Sequence, residues 1–363
     1  MVDVPPLSEL TTLRLGGPAA RLVQTRGQDG VVAAVREVDT AGEPLLVLAG
    51  GSNVVVADAG FPGTVVRIAT HGIARSELAD GRTRLDVQAG ENWDELVAAC
   101  VDDCLAGVEA LSGIPGSVGA TPIQNVGAYG QEVSSVIVAV RAYDRVSGEI
   151  CVLPAEDCRF AYRSSAFKRH PQRWVVLEVS YALERCRLSE PVRYAELARR
   201  LEIELGARAP LADVRAAVLE LRRGKGMVLD PDDVDSVSAG SFFTNPILDE
   251  QGFSELERRA AARPGPGVAP PAWRQPDRTI KTSAAWLIER ADFKRGHGNP
   301  DGIAISSKHT LALTNRGAGT ARELVALAHE IAGGVRDAFG VELVPEPVFV
   351  GHRWEMPPAT VEP

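Results

Sequence analysis

Two glycine-rich segments carry residue types that suit phosphate binding. The first is LLVLAGGSNVVVAD at 45–58, where a hydrophobic run leads straight into Gly50-Gly51-Ser52-Asn53. Adjacent glycines let the backbone approach a ligand closely, and successive N–H groups of a tight turn form an anion nest. Ser52 and Asn53 add side-chain donors. The same four residues also suit an ordinary glycine-rich hairpin turn. The second segment is LSGIPGSVGATPIQNVGAYG at 111–130. A long ordered loop of this kind is far more often functional than decorative. The backbone amides of Gly113, Gly116 and Gly119 and the Ser117 hydroxyl suit the pyrophosphate of a dinucleotide.

Familiar alternatives are excluded by spacing. Gly113-x-x-Gly116-x-x-Gly119 is not the dinucleotide fingerprint GxGxxG and does not open the first βα unit. Walker A and GxSxG motifs are absent. His329-Glu330 lacks the second histidine of HExxH, and the six histidines show no metal-ligand spacing, so no metal is expected. The five cysteines form no CxxC pair and read as reduced thiols. A net charge of −9 without a basic block argues against nucleic acid or an anionic membrane as partner.

The 363 residues are enough for two or three domains, and 45% hydrophobic with 24% charged content is ordinary for a soluble globular chain. MVDVPPLSELTTLRLGG has neither a basic nor an apolar targeting region, and no apolar run approaches the ~18 residues of a membrane helix. A soluble, cytoplasmic protein is expected.

Periodicity supplies the elements that would position these segments. Strands are predicted at 20–25, 44–49, 54–57, 64–68 and 84–89, with helices at 29–41 and 92–104. The second helix has apolar positions 93, 96, 97, 100 and 101. Further strands are predicted at 136–144, 149–154 and 174–183. Helices follow at 194–205 and 211–223, the latter capped by Gly224. Leu229-Asp230-Pro231-Asp232-Asp233 is a polar boundary. Beyond it come a Pro-rich loop at 263–276, a helix at 283–291, a strand at 311–314, a helix at 320–339 and a final strand at 341–344. The tail after Met356 is expected to be mobile. The pattern is α+β rather than a regular βαβ array.

Together the two glycine-rich segments resemble the flavin-binding domain of the UDP-N-acetylenolpyruvoylglucosamine reductases. The resemblance continues through FAYRSSAFK at 160–168, AGSFFTNP at 239–246 and VPEPVFVG at 344–351. It implies a two-subdomain FAD-binding fold of the vanillyl-alcohol-oxidase type with a C-terminal α+β substrate domain. The expected divisions are 1–70, joined by the C-terminal strand near 341–355, then 71–229, then 230–340. It also implies non-covalent FAD, NADPH as co-substrate and UDP-N-acetylglucosamine enolpyruvate as substrate. A monomer is expected, though the sequence does not fix the oligomeric state.

By that resemblance Arg163 is the catalytic arginine that pairs with the substrate carboxylate, Ser241 the proton donor and Glu346 the third catalytic residue. Tyr194 resembles the tyrosine that the family's longer-loop type folds over the substrate, and Lys225 a diphosphate-binding lysine. Asn245, Lys281 and Tyr129 are further substrate candidates. Two other readings remain open at this point. A flavin oxidase on the same scaffold would commonly attach its flavin through His or Cys, and His71 lies near. A non-catalytic UDP-sugar-binding protein would keep the glycine loops without needing Arg163, Ser241 and Glu346.

Overall fold

The computed structural model describes residues 4–263 and 269–355. Part of the Pro-rich 263–276 segment and the tail from Met356 lie outside the described residues. The chain forms two compact units. The first holds Pro18–Ser52 and Phe61–Val228; the second holds Pro6–Gly17, Asn53–Gly60 and the chain from Leu229 onward. Residues 6–17 and 53–60, grouped by sequence with the first subdomain, therefore belong to the second unit.

The first unit contains two sheets. Ala19–Thr25, Phe61–Ile68 and Leu45–Leu48 form a three-stranded parallel sheet with Phe61–Ile68 central. The helix Gln28–Ala41 turns Val31, Val32, Val35 and Val38 into the core, where Val31, Val32 and Val35 join Val66 and Ile68. Each such burial contributes about 1.5–3 kcal/mol before conformational entropy is counted. The second sheet is antiparallel, in the order Glu149–Pro154, Ile137–Asp144, Trp174–Arg185, Thr83–Gln88, Ile73–Glu77. Leu105–Ala106 pairs with the end of Trp174–Arg185. Thr83–Gln88 alternates buried and half-buried residues, as a strand with one covered face should. Helices Ala195–Arg200 and Leu211–Gly224 share a smaller core around Leu197, Val214 and Val218.

The second unit is built on Ser238–Ser241, Ala312–Asn315 and Ile303–Ile305, a three-stranded antiparallel sheet with Ala312–Asn315 central. The helix Ala321–Phe339 buries Leu324, Leu327, Ile331 and Val335 in the same core. Thr320 and Glu323 close its N-terminus as a capping box, and Gly340 ends it at φ +71°. Residues 53–60 belong here for two physical reasons. Val54–Val56 pairs in parallel with Val348–Val350. Asp58 Oδ1 and Oδ2 accept from the N–H groups of Ala321 and Arg322 at 2.7 and 3.0 Å, a carboxylate at a helix N-terminus.

Several sequence expectations need correction. The final strand is Val348–Val350, not 341–344. Val341 and Leu343 are buried and alternate with exposed neighbours, so their pattern reports side-chain burial without a ladder. Gly224 is the last helical residue rather than the cap, and the left-handed turn falls on Gly226 at φ +66°. The helix expected over 194–205 is only Ala195–Arg200, because Glu202 turns left-handed at φ +56°. The helix Glu250–Ala262, capped by Asp249, and the exposed edge strand Ile73–Glu77 were not anticipated.

Candidate functional site

In the first unit the strand Leu45–Leu48 delivers the chain into Gly50–Ser52, with Gly51 at φ +60°. A Cβ placed on Gly50 would stand 2.6 Å from Gly116 Cα and 2.9 Å from Ser117 N. The two glycine-rich segments therefore touch backbone to backbone, and Gly116, at φ +116°, faces Ser52. The start of the helix Trp93–Asp102 holds the second loop: Trp93 N donates to Gly116 O at 3.1 Å and Val118 N to Glu91 O at 2.9 Å. Among the described residues, the N–H groups of Gly50, Gly51, Gly116 and Ser117 donate to no protein acceptor. Gly51 and Ser117 are buried, where unmet N–H groups are rare. A cradle that a Cβ would fill, lined with unmet donors, fits the phosphates of a bound dinucleotide.

Gly113 and Gly119 serve the loop differently. Gly113, at φ +72°, donates its N–H to Asp94 Oδ1 at 2.6 Å. Gly119 N donates to Ala89 O at 2.9 Å, and a Cβ there would meet Ala89 Cβ at 2.6 Å. Asp94 also receives Arg215 at 2.6 and 3.1 Å. Burial would raise its pKa, but the Arg215 and Gly113 hydrogen bonds and the charges of Arg215 and Arg222 outweigh this and hold it below the usual carboxylate range.

Arg163 sits in a tight turn closed by hydrogen bonds between Ala161 and Ser164 at 2.9 and 3.0 Å. Its φ is +50°, a left-handed conformation uncommon outside glycine. Its Nη2 donates to Gly127 O at 2.8 Å, and the guanidinium lies 5.5 Å from the Tyr162 ring centre. Asn125, 1% exposed, binds Ala161 O at 3.2 Å and Glu132 at 2.8 Å, fixing the turn to the loop. Ser165 locks the other side, donating to Ile123 O at 2.5 Å and capping the short helix Ala166–Arg169.

Tyr129 and Tyr194 meet edge to face at 5.4 Å. Lys225 Nζ stands 5.6 Å from the Tyr129 ring centre and pairs with Glu196 at 2.6 Å. Burial pushes the Tyr129 phenol up to about 12. Burial, then the Glu196 charge, raises Tyr194. Glu109, 1% exposed, accepts from Gly107 N, Gln131 Nε2 and Glu190 N at 2.6, 2.9 and 2.8 Å. It thereby ties the loop bearing Tyr129 to the segment leading into Tyr194. A small cavity lies beside this carboxylate, bounded by Tyr129, Gln131 and Val192.

In the second unit Ser241 ends its strand just after Gly240, at φ +74°, where the pairing register shifts. Such a bulge re-aims the following side chain. Glu346 N donates to Phe242 O at 2.8 Å, so the structure brings Ser241 and Glu346 into neighbouring backbone positions. Asn53 Nδ2 donates to Glu346 O at 3.2 Å, and Val348 N donates to Asn53 O at 2.9 Å. Asn53, expected beside phosphate, thus holds the backbone of Glu346 and lies in a different unit from Ser52. Asn245 Oδ1 accepts from Ala284 N at 3.0 Å at the start of the helix Ala284–Arg290. Lys281 pairs with Ile247 and Trp273, its Nζ 6.0 Å from the Trp273 ring centre.

Asp94, Glu109, Asn125 and Arg222 were missed by sequence reasoning. Asp94 lies in the first turn of a helix, where an acidic residue needs no special reason. Nothing in the sequence distinguishes the buried Glu109 from a surface carboxylate. His71 is exposed and paired with Glu91 at 3.3 Å. Among the described residues no group of three His, Cys, Asp or Glu side chains could hold a metal, and no helix is long and apolar enough to cross a membrane. Cys100, Cys104, Cys151, Cys158 and Cys186 are free thiols.

Comparison with known proteins agrees with this geometry. A domain-family model described as an FAD binding domain matches residues 19–153, which contain both glycine turns. A second, described as the UDP-N-acetylenolpyruvoylglucosamine reductase C-terminal domain, matches residues 231–350, which contain Ser241 and Glu346. The chain is 56% identical over 346 residues to UDP-N-acetylenolpyruvoylglucosamine reductase of Thermobifida fusca, covering 95% of this chain and 97% of that protein. It is 57% identical over 347 residues to the Salinispora arenicola protein of the same name, covering 95% of this chain and 94% of that one. The crystal structure of UDP-N-acetylenolpyruvylglucosamine reductase from Thermus caldophilus shares the fold, with a TM-score of 0.62 at 24% identity over 96% of this chain and 99% of that one. With more than half its residues identical to such reductases along nearly its whole length, the chain belongs to the UDP-N-acetylenolpyruvoylglucosamine reductase family.

Proposed function

We propose that this protein reduces the enolpyruvyl group of UDP-N-acetylglucosamine enolpyruvate to give UDP-N-acetylmuramate, with NADPH as reductant, in peptidoglycan precursor synthesis. The observation that carries the reading is 56% identity to a named reductase over 95% of the chain. The Gly50–Ser52 and Gly116–Ser117 turns would hold FAD, which would supply hydride transfer from NADPH to the terminal alkene carbon. The remaining work falls to side chains.

As hydride arrives, negative charge develops on the neighbouring carbon and its carboxylate. Arg163, oriented by Gly127 O, pairs with that carboxylate and stabilises the charge. Ser241 Oγ gives its proton to the carbon, completing addition across the double bond. A serine is a weak acid, so nearby charge must assist it. Glu346, with its backbone fixed by Phe242 O and Asn53, acts as a second acid or orients the carboxylate end. Tyr129, Tyr194 and Lys225, together with Asn245 and Lys281, bind the UDP-sugar. On this reading the protein is a cytoplasmic monomer serving cell-wall growth, and through it cell shape and division; the free thiols fit a reducing compartment.

The test is an anaerobic spectral titration. NADPH should bleach the bound flavin, and only the enolpyruvyl UDP-sugar should restore its colour. Colour restored by oxygen but not by that substrate defeats the reading. Ser241→Ala should still be bleached by NADPH yet fail to recover with substrate, and full turnover by this variant would remove Ser241 as proton donor.

A further inference from the structure

The helix Leu211–Gly224 carries a buried cation with no role in the steps above. Arg222 is 8% exposed, and burial pushes its guanidinium below its ordinary value. Among the described residues its hydrogen bonding consists of Nη2 donating to Met227 O at 2.8 Å, while the buried Nε has no partner. A guanidinium carries five N–H donors, and leaving buried ones unmet is strongly unfavourable.

The neighbouring carboxylates are already engaged. Asp94 is held by Arg215 and by Gly113 N, and Glu196 by Lys225. Arg222 feels the Asp94 charge only across space. Its position is informative: a Cβ on Gly113 would lie 3.3 Å from Arg222 Nε, which sets the guanidinium at the turn opening the second glycine-rich loop. Arg222 also lies near Tyr129, whose ring centre is 5.6 Å from Lys225 Nζ. Arg215 and Arg222 thus share one carboxylate, Asp94, while Lys225 pairs with Glu196.

We propose that Arg222 is an anion-binding residue, meeting a phosphate of a nucleoside diphosphate group at the Gly113 turn. The inference rests on the reading that this protein binds FAD and a UDP-sugar, either of which supplies that chemistry. Its fork of donors suits a phosphate better than a lysine ammonium would.

The experiment uses the full chain with Arg222→Gln and Arg222→Lys. FAD affinity is measured by flavin fluorescence on reconstitution, and UDP affinity by calorimetry on FAD-loaded protein. Melting temperature is recorded for each variant. A rise of about tenfold or more in the FAD dissociation constant of Arg222→Gln, with UDP affinity unchanged, assigns the residue to the cofactor's pyrophosphate. The reverse pattern assigns it to the substrate's diphosphate. Arg222→Lys, which keeps the charge and loses the fork, should show a smaller loss in the same arm. It carries the test if Arg222→Gln does not fold. Both affinities within twofold of wild type, with only a lower melting temperature, would overturn the proposal and leave Arg222 a packing residue. A wild-type chain that neither holds FAD nor binds UDP defeats the functional reading and this proposal with it. Normal wild-type binding with unaltered variants defeats this proposal alone.

Discussion

Gly50→Ala tests whether the two glycine turns form one cradle. The new methyl carbon would sit 2.6 Å from Gly116 Cα and 2.9 Å from Ser117 N. An ordinary carbon–carbon contact is about 3.5–4.0 Å, so the shortfall at Gly116 is roughly 1 Å. Both obstructing atoms are backbone, and no rotamer change relieves them. The loops must therefore separate, and overpacking of this kind destabilises by about 1–3 kcal/mol. For a unit of this size that lowers the melting temperature by about 2–12 °C. Separation also moves Gly116 and Ser117 N–H away from the phosphates they are proposed to hold. Losing one charge-assisted hydrogen bond, about 1.5–3 kcal/mol, raises the FAD dissociation constant about 10- to 150-fold. Calorimetric melting and flavin fluorescence on reconstitution read the two effects separately. Gly27→Ala is the control, since nothing lies within 4 Å of its Cβ position, and it should leave FAD affinity unchanged. If Gly50→Ala melts and binds FAD as wild type does, the cradle argument is wrong.

Two adjacent helical glycines should respond with opposite signs. Gly333→Ala meets nothing within 4 Å and should stabilise by about 0.5–1 kcal/mol, whereas Gly334→Ala meets Phe293 Cε2 at 2.5 Å and should destabilise. Denaturant melts of both variants check this, and equal shifts would refute it. Asp94, held below the usual carboxylate range, contributes stability above its unfolded value, and that contribution disappears as pH falls through the folded value. Asp94→Asn should cost about 1–2 kcal/mol near neutrality, after discounting for partial exposure, and flatten the acid limb of the stability curve. An acid limb unchanged in the variant would show that other carboxylates set it.

The glycine turns were legible in the sequence because glycine clusters report a backbone requirement wherever the fold places them. The contact between the two segments was not, since Gly50 and Gly116 meet through tertiary packing of loops 66 residues apart, which no local pattern encodes. Val54–Val56 read correctly as a strand, yet its partner Val348–Val350 lies at the other end of the chain. The alternation at Val341 and Leu343 drew the last strand too early, because burial and ladder pairing leave the same period-two signature. Arg163 came from a motif; its left-handed φ and its support by Asn125 came only from the structure. Charged residues such as Glu109 and Arg222 are normally exposed, so sequence alone assigns them to the surface.

The placement of Ser241 and Glu346 depends on two separate strand pairings within the second unit. Ser241 is positioned by Ser238–Ser241 against Ala312–Asn315, with the irregularity at Gly240 setting its direction. Glu346 is positioned from the other side, by Val348–Val350 against Val54–Val56 and by Asn53 gripping its carbonyl. The hydrogen bonds Glu346 N to Phe242 O and Thr244 N to Val344 O couple the two pairings at 2.8 and 3.0 Å. Pro345 and Pro347 limit how far the backbone between them can relax. A change in the buried Val55 would act on Glu346 through the Val54–Val56 pairing, whereas Ser241 is held first by its own sheet. Proton delivery requires placement to within about an ångström, so a displacement of Glu346 on that scale matters. Residues 53–60 thus supply the strand and the amide that fix where the backbone of Glu346 stands, and under the proposed function that is their chemical purpose.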